Sequence, residues 1–299
     1  MERVAFIVNS GAGSVVAADL KAEALHQLCG ECGIAADIHF VPGDQVVETA
    51  RAALAAGAEA LVAGGGDGTI RAVASVLVGG EVPLGVLPVG TLNHFARDLG
   101  IPVELPAAVR LIAEGVPRPL DVGEVNGEIF INNSMLGFYP PVVKVRDRER
   151  REKDRNKWLA TVSALFKVLP RHERLHIRVT ADGLTVERKS HFVFIGNNEY
   201  QMGSFTYAAR SRFESGNLYL YIAKSRTRIG LVGLALLSLV RDLKWTKHFD
   251  RFCLPELVIE TRKRAVQVYF DGEVLNLQPP LCYRNRAHAL RVIVPAEST

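Results

Sequence analysis

LVAGGGDGTI, residues 61–70, sets the architecture of the first part of this chain. Its apolar start predicts a buried strand, and Asp67-Gly68-Thr69 opens a predicted helix after the glycines. Consecutive glycines lack the Cβ atoms that would keep a ligand away from the backbone, and they allow several N–H groups to point the same way. The stretch therefore favours a nucleotide site over an ordinary strand-to-helix turn.

Two common phosphate-binding signatures are absent from the sequence. It contains no GxxxxGK[ST], which excludes a P-loop. Gly64 and Gly66 begin a GxGxxG, but Thr69 stands in place of the third glycine, which excludes the dinucleotide fingerprint. Because Asp67 is acidic, it suits contact with a metal ion or a hydroxyl better than direct contact with phosphate.

Two further turns follow predicted strands in the same part of the chain. The strand at Val4–Val8 ends at Asn9, and the strand at Pro83–Leu87 leads into a turn, PVGT, at 88–91. The alternation of strands and helices predicts a mostly parallel sheet covered by helices. Ligands bind beyond the carboxyl ends of such strands. All three turns lie at those ends, which supports one nucleotide site.

These turns are together similar to a known family. GGGDGTI followed by PVGTLNHFARDLGIP resembles the catalytic domain of the diacylglycerol kinase and sphingosine kinase family, and within it the soluble bacterial lipid kinases. NAD kinases share GGDGT, whereas GTxNxFAR is typical of lipid kinases. The resemblance extends from Asn9 to Glu273 and implies an N-terminal three-layer α/β domain of NAD-kinase-like, Rossmann-like fold, followed by an antiparallel β-sandwich domain.

The resemblance also implies ATP as the phosphate donor and Mg²⁺ as the accompanying metal. His39 stands where many relatives have a threonine that touches the nucleotide, and Arg71-Ala72 replaces an Asn-Glu or His-Glu pair. Arg71 is then either a cation near the phosphates or a solvated side chain. The residues expected at the nucleotide are Asn9, Gly65, Gly66, Asp67, Gly68, Thr69, Gly90, Thr91 and Asn93.

Asp271-Gly272-Glu273 is the candidate for acid–base chemistry. Taken alone, DGE is a common hairpin turn. Beside the two glycine turns it resembles the family's DGE, which implies that Asp271 is the general base and that Glu273 tunes it or helps to hold a metal. The acceptor implied is a lipid hydroxyl, most simply that of a diacylglycerol, with phosphatidic acid as product.

Relatives carry a structural Mg²⁺ site at an Asp-Asp-Gly-x-Leu element. The matching stretch here is FESGNL at 213–218, in which Ser215 replaces a ligand aspartate. Backbone carbonyls of Arg212 and Asn217 would remain as ligands. Because hard cations prefer charged oxygens, the sequence predicts that this site is weakened or absent.

The length of the chain predicts two domains, as does the change from alternating strands and helices to mostly strand-like segments after Pro117. The 299 residues are 48% hydrophobic, which is typical of globular proteins with a full core. The predicted α/β domain is 1–118, to which the last strand at 290–299 returns, and the β-sandwich domain is 119–289 with a helical insertion at about 142–170. Hairpin signals occur at Asn126-Gly127 and Asp182-Gly183, and Glu128–Asn133 and Leu184–Ile195 are each predicted as one strand.

Cysteine usage and the N-terminus predict a cytoplasmic protein. Cys29-x-x-Cys32 lacks a second pair for zinc, and no secretory signal is visible, so we expect free thiols in a reducing compartment. The longest apolar segment, Ile229–Val240, is too short to span a bilayer.

The net charge of +4 comes from one stretch, 144–157, with eight basic and four acidic residues. It is interpreted either as a solvated helix or as a patch that faces anionic lipid at the inner membrane, beside an amphipathic segment at 158–169. It lacks interleaved aromatic residues, which argues against nucleic acid. The resemblance is compatible with reversible peripheral membrane contact and with a homodimer.

Two alternatives remain open at this point. One is an NAD kinase or another small-metabolite kinase on the same fold, since GGDGT is shared and Asn198-Glu199 resembles a pair found in NAD kinases. The other is a nucleotide-binding regulator that has lost catalysis. The retained Asp67 and Asp271 argue against the second alternative.

Overall fold

The chain forms two compact units in a computed structural model. The structure describes residues 3–11, 22–91, 93–153, 163–164, 167–168, 173–199, 215–224 and 248–296. Unit 1 comprises Met1–Val122 with Arg286–Thr299, and unit 2 comprises Gly123–Asn285. Among the helices in these ranges, none is long and apolar enough to cross a membrane.

Unit 1 alternates strands and helices. Four of its strands, β1 (Val4–Asn9), β2 (Ala36–Val41), β3 (Ala60–Gly64) and β4 (Leu84–Leu87), form a parallel sheet in the order β2-β1-β3-β4. The end of a late strand, β16 (Leu281–Val294), pairs in parallel with β4 through Val292 and Leu84. The elements are β1 (Val4–Asn9), α1 (Ala22–Glu31), β2 (Ala36–Val41), a 3-10 turn (Gly43–Gln45), α2 (Val46–Ala55), β3 (Ala60–Gly64), α3 (Asp67–Leu77), β4 (Leu84–Leu87), α4 (His94–Asp98) and α5 (Leu105–Glu114).

The core of unit 1 lies between its sheet and its helices. Phe6 and Val62 from adjacent strands pack in one cluster with Leu25 of α1 and Val109 of α5, and all four are fully buried. β3 is buried along its whole length, as expected for a strand covered on both faces. This packing holds the carboxyl ends of β1, β3 and β4 at one edge of the sheet.

Unit 2 is built from antiparallel strands in two sheets. One contains β16-β13-β8-β9, and the other has the order β12-β11-β10-β7-β14-β15. The elements are β5 (Val116–Val125, which enters from unit 1), β6 (Glu128–Phe130), β7 (Asn133–Gly137), α6 (Tyr139–Lys153), β8 (Leu175–Ala181), β9 (Leu184–Ser190), β10 (Phe192–Gly196), β11 (Leu218–Ala223), β12 (Phe249–Leu254), β13 (Glu256–Thr261), β14 (Val266–Phe270), β15 (Glu273–Leu277) and β16 (Leu281–Val294).

One apolar cluster joins the two sheets of unit 2. Ile177 and Ile259 of the first sheet pack with Val193, Leu220 and Val268 of the second, and each is 2% exposed or less. Side chains from two facing sheets in one core define a sandwich. The predicted fold class, an α/β domain followed by an antiparallel β domain, is confirmed.

Two predicted strands are each divided in the structure. The run at 184–195 breaks at His191 into β9 and β10, which belong to different sheets. Ser190 Oγ lies 2.9 Å from the carbonyl oxygens of both Phe192 and Ala223 and can donate its one hydrogen to either of them where the chain changes sheet. The run at 128–133 likewise ends at Phe130 and resumes at Asn133. The predictions of single strands were wrong because local β propensity does not reveal a change of sheet.

The predicted hairpin turns are confirmed. Asn126 and Gly127 have φ values of 49° and 88°, and Asp182 and Gly183 have 47° and 74°, as a type I′ turn requires. The apolar segment at 229–240 lies outside the described residues, and of the amphipathic segment at 158–169 the structure describes only 163–164 and 167–168. The helical insertion is described at Tyr139–Lys153 and otherwise only at 163–164 and 167–168.

Candidate functional site

The turns that follow β3 and β4 touch each other through their glycines. A Cβ on Gly90 would lie 2.7 Å from the backbone nitrogen of Gly66 and 2.6 Å from Asn93 Oδ1. A Cβ on Gly65 would lie 2.8 Å from Cγ2 of Thr69. Real Cβ atoms do not approach other atoms so closely, and backbone cannot move aside as a flexible side chain can. Glycine is therefore required at position 90 for these two turns to meet.

Asn9 links the end of β1 to the same turns. Its Nδ2 donates to Thr69 Oγ1 at 3.1 Å, and its Oδ1 accepts from the backbone N–H of Gly11 at 2.9 Å. Thr69 is buried in the first turn of α3, whereas Thr91 is exposed. Three of the segments predicted to form the nucleotide site thus come together in unit 1.

Asp67 uses its carboxylate to hold the second glycine turn. Oδ1 accepts from the N–H of Phe95 at 2.9 Å, and Oδ2 accepts from the N–H of His94 at 3.3 Å. These N–H groups belong to the first turn of α4, where an anionic acceptor is favourable. Asp67 was predicted to suit a metal ion or a hydroxyl. In the structure it ties α3 to α4.

Asn93 occupies a backbone conformation that few residue types accept. Its φ is 49°, and its Nδ2 donates to the carbonyls of Pro88 at 2.7 Å and Gly90 at 3.0 Å. Within the described part of the chain, its buried Oδ1 has no hydrogen-bond partner. A buried acceptor left open in this way fits a hydroxyl or amino donor of a nucleotide better than it fits phosphate.

Arg71 is a buried residue of α3 in unit 1. The Arg71 side chain is only 7% exposed, so its interpretation as a solvated side chain was wrong.

Burial, with a smaller effect from neighbouring Cys32, raises the pKa of Cys29 to about 11. Since the thiolate is the reactive form, a thiol of such high pKa is not suited to redox catalysis near neutral pH. All four cysteines are free thiols.

Asp271 is held by three consecutive backbone N–H groups in unit 2. It begins the turn between β14 and β15 with φ of 48°, and its side chain is buried. Oδ2 accepts from the N–H of Ile131, and Oδ1 accepts from those of Asn132 at 3.0 Å and Asn133 at 3.3 Å. Charge-assisted bonds of this kind fix the orientation of an ionised carboxylate. Glu273, by contrast, is exposed at the start of β15.

A second layer of asparagines supports the loop at 131–133. The N–H of Asn197 donates to the Asn132 carbonyl at 3.0 Å, and Asn197 Nδ2 reaches the Ile131 carbonyl at 3.5 Å. Asn285 Nδ2 in turn lies 3.4 Å from Asn197 Oδ1. Sequence reasoning missed this support. The sequence feature that could have indicated it is an Asn-Asn pair that follows each of two strands, at 132–133 and 197–198.

The described part of the predicted structural metal site does not fit a hard cation. The Asn217 carbonyl accepts from Ser215 Oγ at 3.3 Å and from Asn285 Nδ2 at 3.3 Å. The Ser215 carbonyl accepts from Asn217 Nδ2 at 2.8 Å. Amide and hydroxyl donors therefore occupy oxygens that a cation would need. Arg212 lies outside the described residues, and no group of three or more His, Cys, Asp or Glu side chains suited to a metal occurs in the described ranges.

Comparisons with known proteins show which family this chain belongs to. The diacylglycerol kinase catalytic domain family matches residues 3–125. A Pseudomonas aeruginosa (strain PAO1) protein named "Probable lipid kinase YegS-like" is 35% identical over 252 residues, covering 82% of this chain and 80% of that protein. A protein of the same name from Pseudomonas syringae pv. syringae is 32% identical over 254 residues, covering 82% and 79%.

Solved structures share the fold. The structure of a diacylglycerol kinase from Bacillus anthracis str. Sterne superimposes with a TM-score of 0.66 at 21% identity, covering 98% of this chain and 97% of that one. A second B. anthracis structure, described as "A putative diacylglycerol kinase", gives a TM-score of 0.74 at 24% identity with the same coverage. The glycine turns of unit 1 and the extent of the match to the Pseudomonas proteins lead to one conclusion: the chain belongs to the diacylglycerol kinase catalytic-domain family and is a phosphotransferase that acts on a hydroxyl group.

Proposed function

We propose that this protein is an ATP-dependent lipid kinase that transfers the γ-phosphate to the free hydroxyl of a diacylglycerol, giving phosphatidic acid. The observation that carries the nucleotide part is the contact between Gly66 and Gly90. At Gly66 no side chain caps the first N–H groups of α3, and the buried Oδ1 of Asn93 has no hydrogen-bond partner among the described residues. The lipid part is supported by the Pseudomonas relatives.

In the proposed reaction, Asp271 accepts the proton of the acceptor hydroxyl. The hydroxyl oxygen forms a bond to the γ-phosphorus, the bond from that phosphorus to the bridging oxygen breaks, and ADP leaves. Mg²⁺ bound with ATP would neutralise phosphate charge. The three N–H donors at 131–133 hold the carboxylate in one orientation, so that it is ready to take the proton.

The test is an assay of phosphate transfer from γ-labelled ATP to a panel of acceptors. Diacylglycerol, sphingosine and ceramide are presented in neutral detergent micelles, and NAD is presented in solution. We expect label in diacylglycerol and little in NAD. Label in NAD alone would favour the small-metabolite kinase, and no transfer to any acceptor combined with intact ATP binding would favour the regulator.

Asn197→Ala is expected to lower turnover by about 10- to 100-fold with little change in the KM for ATP, because a misplaced base slows the chemical step. Asn197 is a positioning residue in this proposal, so its effect passes through Asp271. In an Asp271→Asn background, the same substitution should have almost no further effect on turnover. If the two losses multiply instead, Asn197 acts on folding or on another group.

Asn126→Ala is the matched control for that experiment. Asn126 also bonds backbone of unit 2, donating from Nδ2 to the Gln278 and Pro280 carbonyls and accepting from the N–H of Cys282. It has φ of 49°, so alanine also costs stability there. We expect this variant to have a lower free energy of unfolding than wild type and an unchanged turnover.

A further inference from the structure

Six basic side chains gather at one end of the β8-β9-β13 sheet of unit 2. β8 and β9 pair His176 with Lys189, and β13 pairs Thr261 with Ile177, which brings Arg262 to the level of His176. Ile177 and Val179 are buried, so His176 and Arg178 belong to the opposite, outer face. The basic corner consists of Arg174, His176, Lys189, Arg262, Lys263 and Arg264.

Glu187 and Glu260, the acidic residues of this face, form salt bridges with Arg178, which is not part of the basic corner. Arg178 Nη2 contacts Glu187 at 2.7 Å, and Arg178 Nη1 lies 3.7 Å from Glu260. Within the described ranges, Arg174, Lys189 and Arg262 take part in no salt bridge, and all three are exposed. Glu173 is the acidic neighbour of Arg174 in sequence. The corner therefore keeps an excess of positive charge that the sheet itself does not neutralise.

His176 lies among the cations of the basic corner, opposite Lys189 and level with Arg262. Partial burial, followed by the positive charges of Lys189, Arg262 and Arg174, lowers the pKa of His176, and Glu187 opposes them. A like charge disfavours the imidazolium form, so each cation must lie close enough to act on the ring. The turn after β13 is also ordered, because the N–H of Lys263 donates to Thr261 Oγ1 at 3.2 Å.

We propose that the basic corner is a docking surface for an anionic lipid bilayer. The inference rests on the proposed function, since a diacylglycerol substrate resides in a membrane. Charge complementarity favours this partner, because exposed cations on a sheet face are attracted to anionic headgroups. The corner contains no Phe, Tyr or Trp side chain on which nucleic acid bases could stack, so a single-stranded nucleic acid is the less favoured partner.

Lys189→Ala is expected to raise the pKa of His176, because it removes a cation that disfavours protonation. The titration is followed by NMR of the His176 ring. Arg51→Ala, at an exposed arginine of α2 in unit 1, should leave the His176 titration unchanged. An unchanged His176 pKa in Lys189→Ala would show that the corner does not act as one charged cluster.

Vesicle sedimentation tests the docking surface itself. The wild-type chain is mixed with vesicles of phosphatidylcholine alone or of phosphatidylcholine with phosphatidylglycerol, at low and at high salt. We expect binding only to the anionic vesicles, and weaker binding at high salt because the charges are screened. The double variant Lys189→Glu/Arg262→Glu should bind at least about 25-fold more weakly, at about fivefold for each lost cation.

Arg51→Glu/Arg110→Glu is the charge-matched control, since both arginines are exposed on helices of unit 1. It should bind anionic vesicles within about twofold of wild type if the basic corner, rather than overall charge, is responsible. Equal losses in the two double variants would overturn the proposal, as would undiminished binding by Lys189→Glu/Arg262→Glu. Preference of the wild type for an oligonucleotide over anionic vesicles would assign the surface to nucleic acid instead.

A soluble assay separates this inference from the proposed function. In neutral detergent micelles, Lys189→Glu/Arg262→Glu should phosphorylate a short-chain diacylglycerol as well as wild type does. Loss of vesicle binding with retained micelle activity supports both proposals. If no variant and no wild-type protein phosphorylates diacylglycerol, the proposed function fails, whatever the vesicles show.

Discussion

Asp271→Asn should reduce lipid phosphorylation by about 10²- to 10⁴-fold while ATP binding is retained, because the amide cannot accept the proton of the acceptor hydroxyl. The residue stays nearly the same size. Asparagine also tolerates the φ of 48° at this turn, so the hairpin between β14 and β15 can still form. Turnover is measured with labelled ATP, and nucleotide binding is measured separately by calorimetry.

The same substitution changes the contacts with the loop at 131–133. Aspartate offers two oxygens to three N–H donors, whereas asparagine offers one oxygen and turns its amino group towards a donor. A buried N–H without an acceptor costs about 1–3 kcal/mol, so the free energy of unfolding must be measured beside turnover. A stable, ATP-binding variant with near-wild-type turnover would remove Asp271 from the proton-accepting role.

Asp182→Asn is the matched control for Asp271→Asn. Asp182 begins the Asp-Gly turn between β8 and β9 with φ of 47°, almost the value found at Asp271. It is exposed, and the substitution removes one carboxylate from the same kind of turn. We expect unchanged turnover and unchanged stability for this variant, which would attribute the loss in Asp271→Asn to the position of the carboxylate.

Gly90→Ala should lower ATP affinity by at least about tenfold and destabilise unit 1 by about 1–3 kcal/mol, because the added methyl group meets the Gly66 backbone. Either turn must move, and such movement disturbs Asn93, whose Oδ1 also lies within reach of the new atom. ATP affinity by calorimetry and unfolding by denaturant measure the two effects. Wild-type affinity in this variant would show that contact between the turns is not needed for nucleotide binding.

Gly30→Ala provides the control for an added methyl group. Gly30 lies in α1, is exposed, and has no atom within 4 Å of a new Cβ. Alanine in an exposed helix is preferred over glycine, so the variant should be about 0.5–1 kcal/mol more stable than wild type. Its ATP affinity should not change.

Much of the fold of both units was predictable because its signals are local. The glycine turns, the parallel alternation and the Asn-Gly and Asp-Gly hairpins each depend on a few adjacent residues, and the structure has them where they were predicted. The strand breaks at residues 131 and 191 were not predictable in this way. Each depends on which sheet the next segment joins, and neither sheet is visible from a window of a few residues.

The partners of the site residues were also beyond local reasoning. Asp67 was identified from its motif, but its contacts with His94 and Phe95 lie 27 and 28 residues away. Asp271 was identified from DGE, yet its N–H donors are about 140 residues earlier in the chain. The structural metal site was predicted to be weakened by Ser215, and the donor that reaches the Asn217 carbonyl, Asn285, was not foreseen.

The distribution of charge likewise differs between the sequence and the folded structure. Counting along the chain assigned the whole positive excess to 144–157, because elsewhere basic and acidic residues balance. Strand register then groups the acidic Glu187 and Glu260 around Arg178, and leaves the cations of three separate segments together at the basic corner. By itself the sequence determined the fold class and the turns, because backbone preference and periodicity act over a few residues. The tertiary structure alone decided which side chains meet, because hydrogen bonds and charges act through space between segments that the chain keeps far apart.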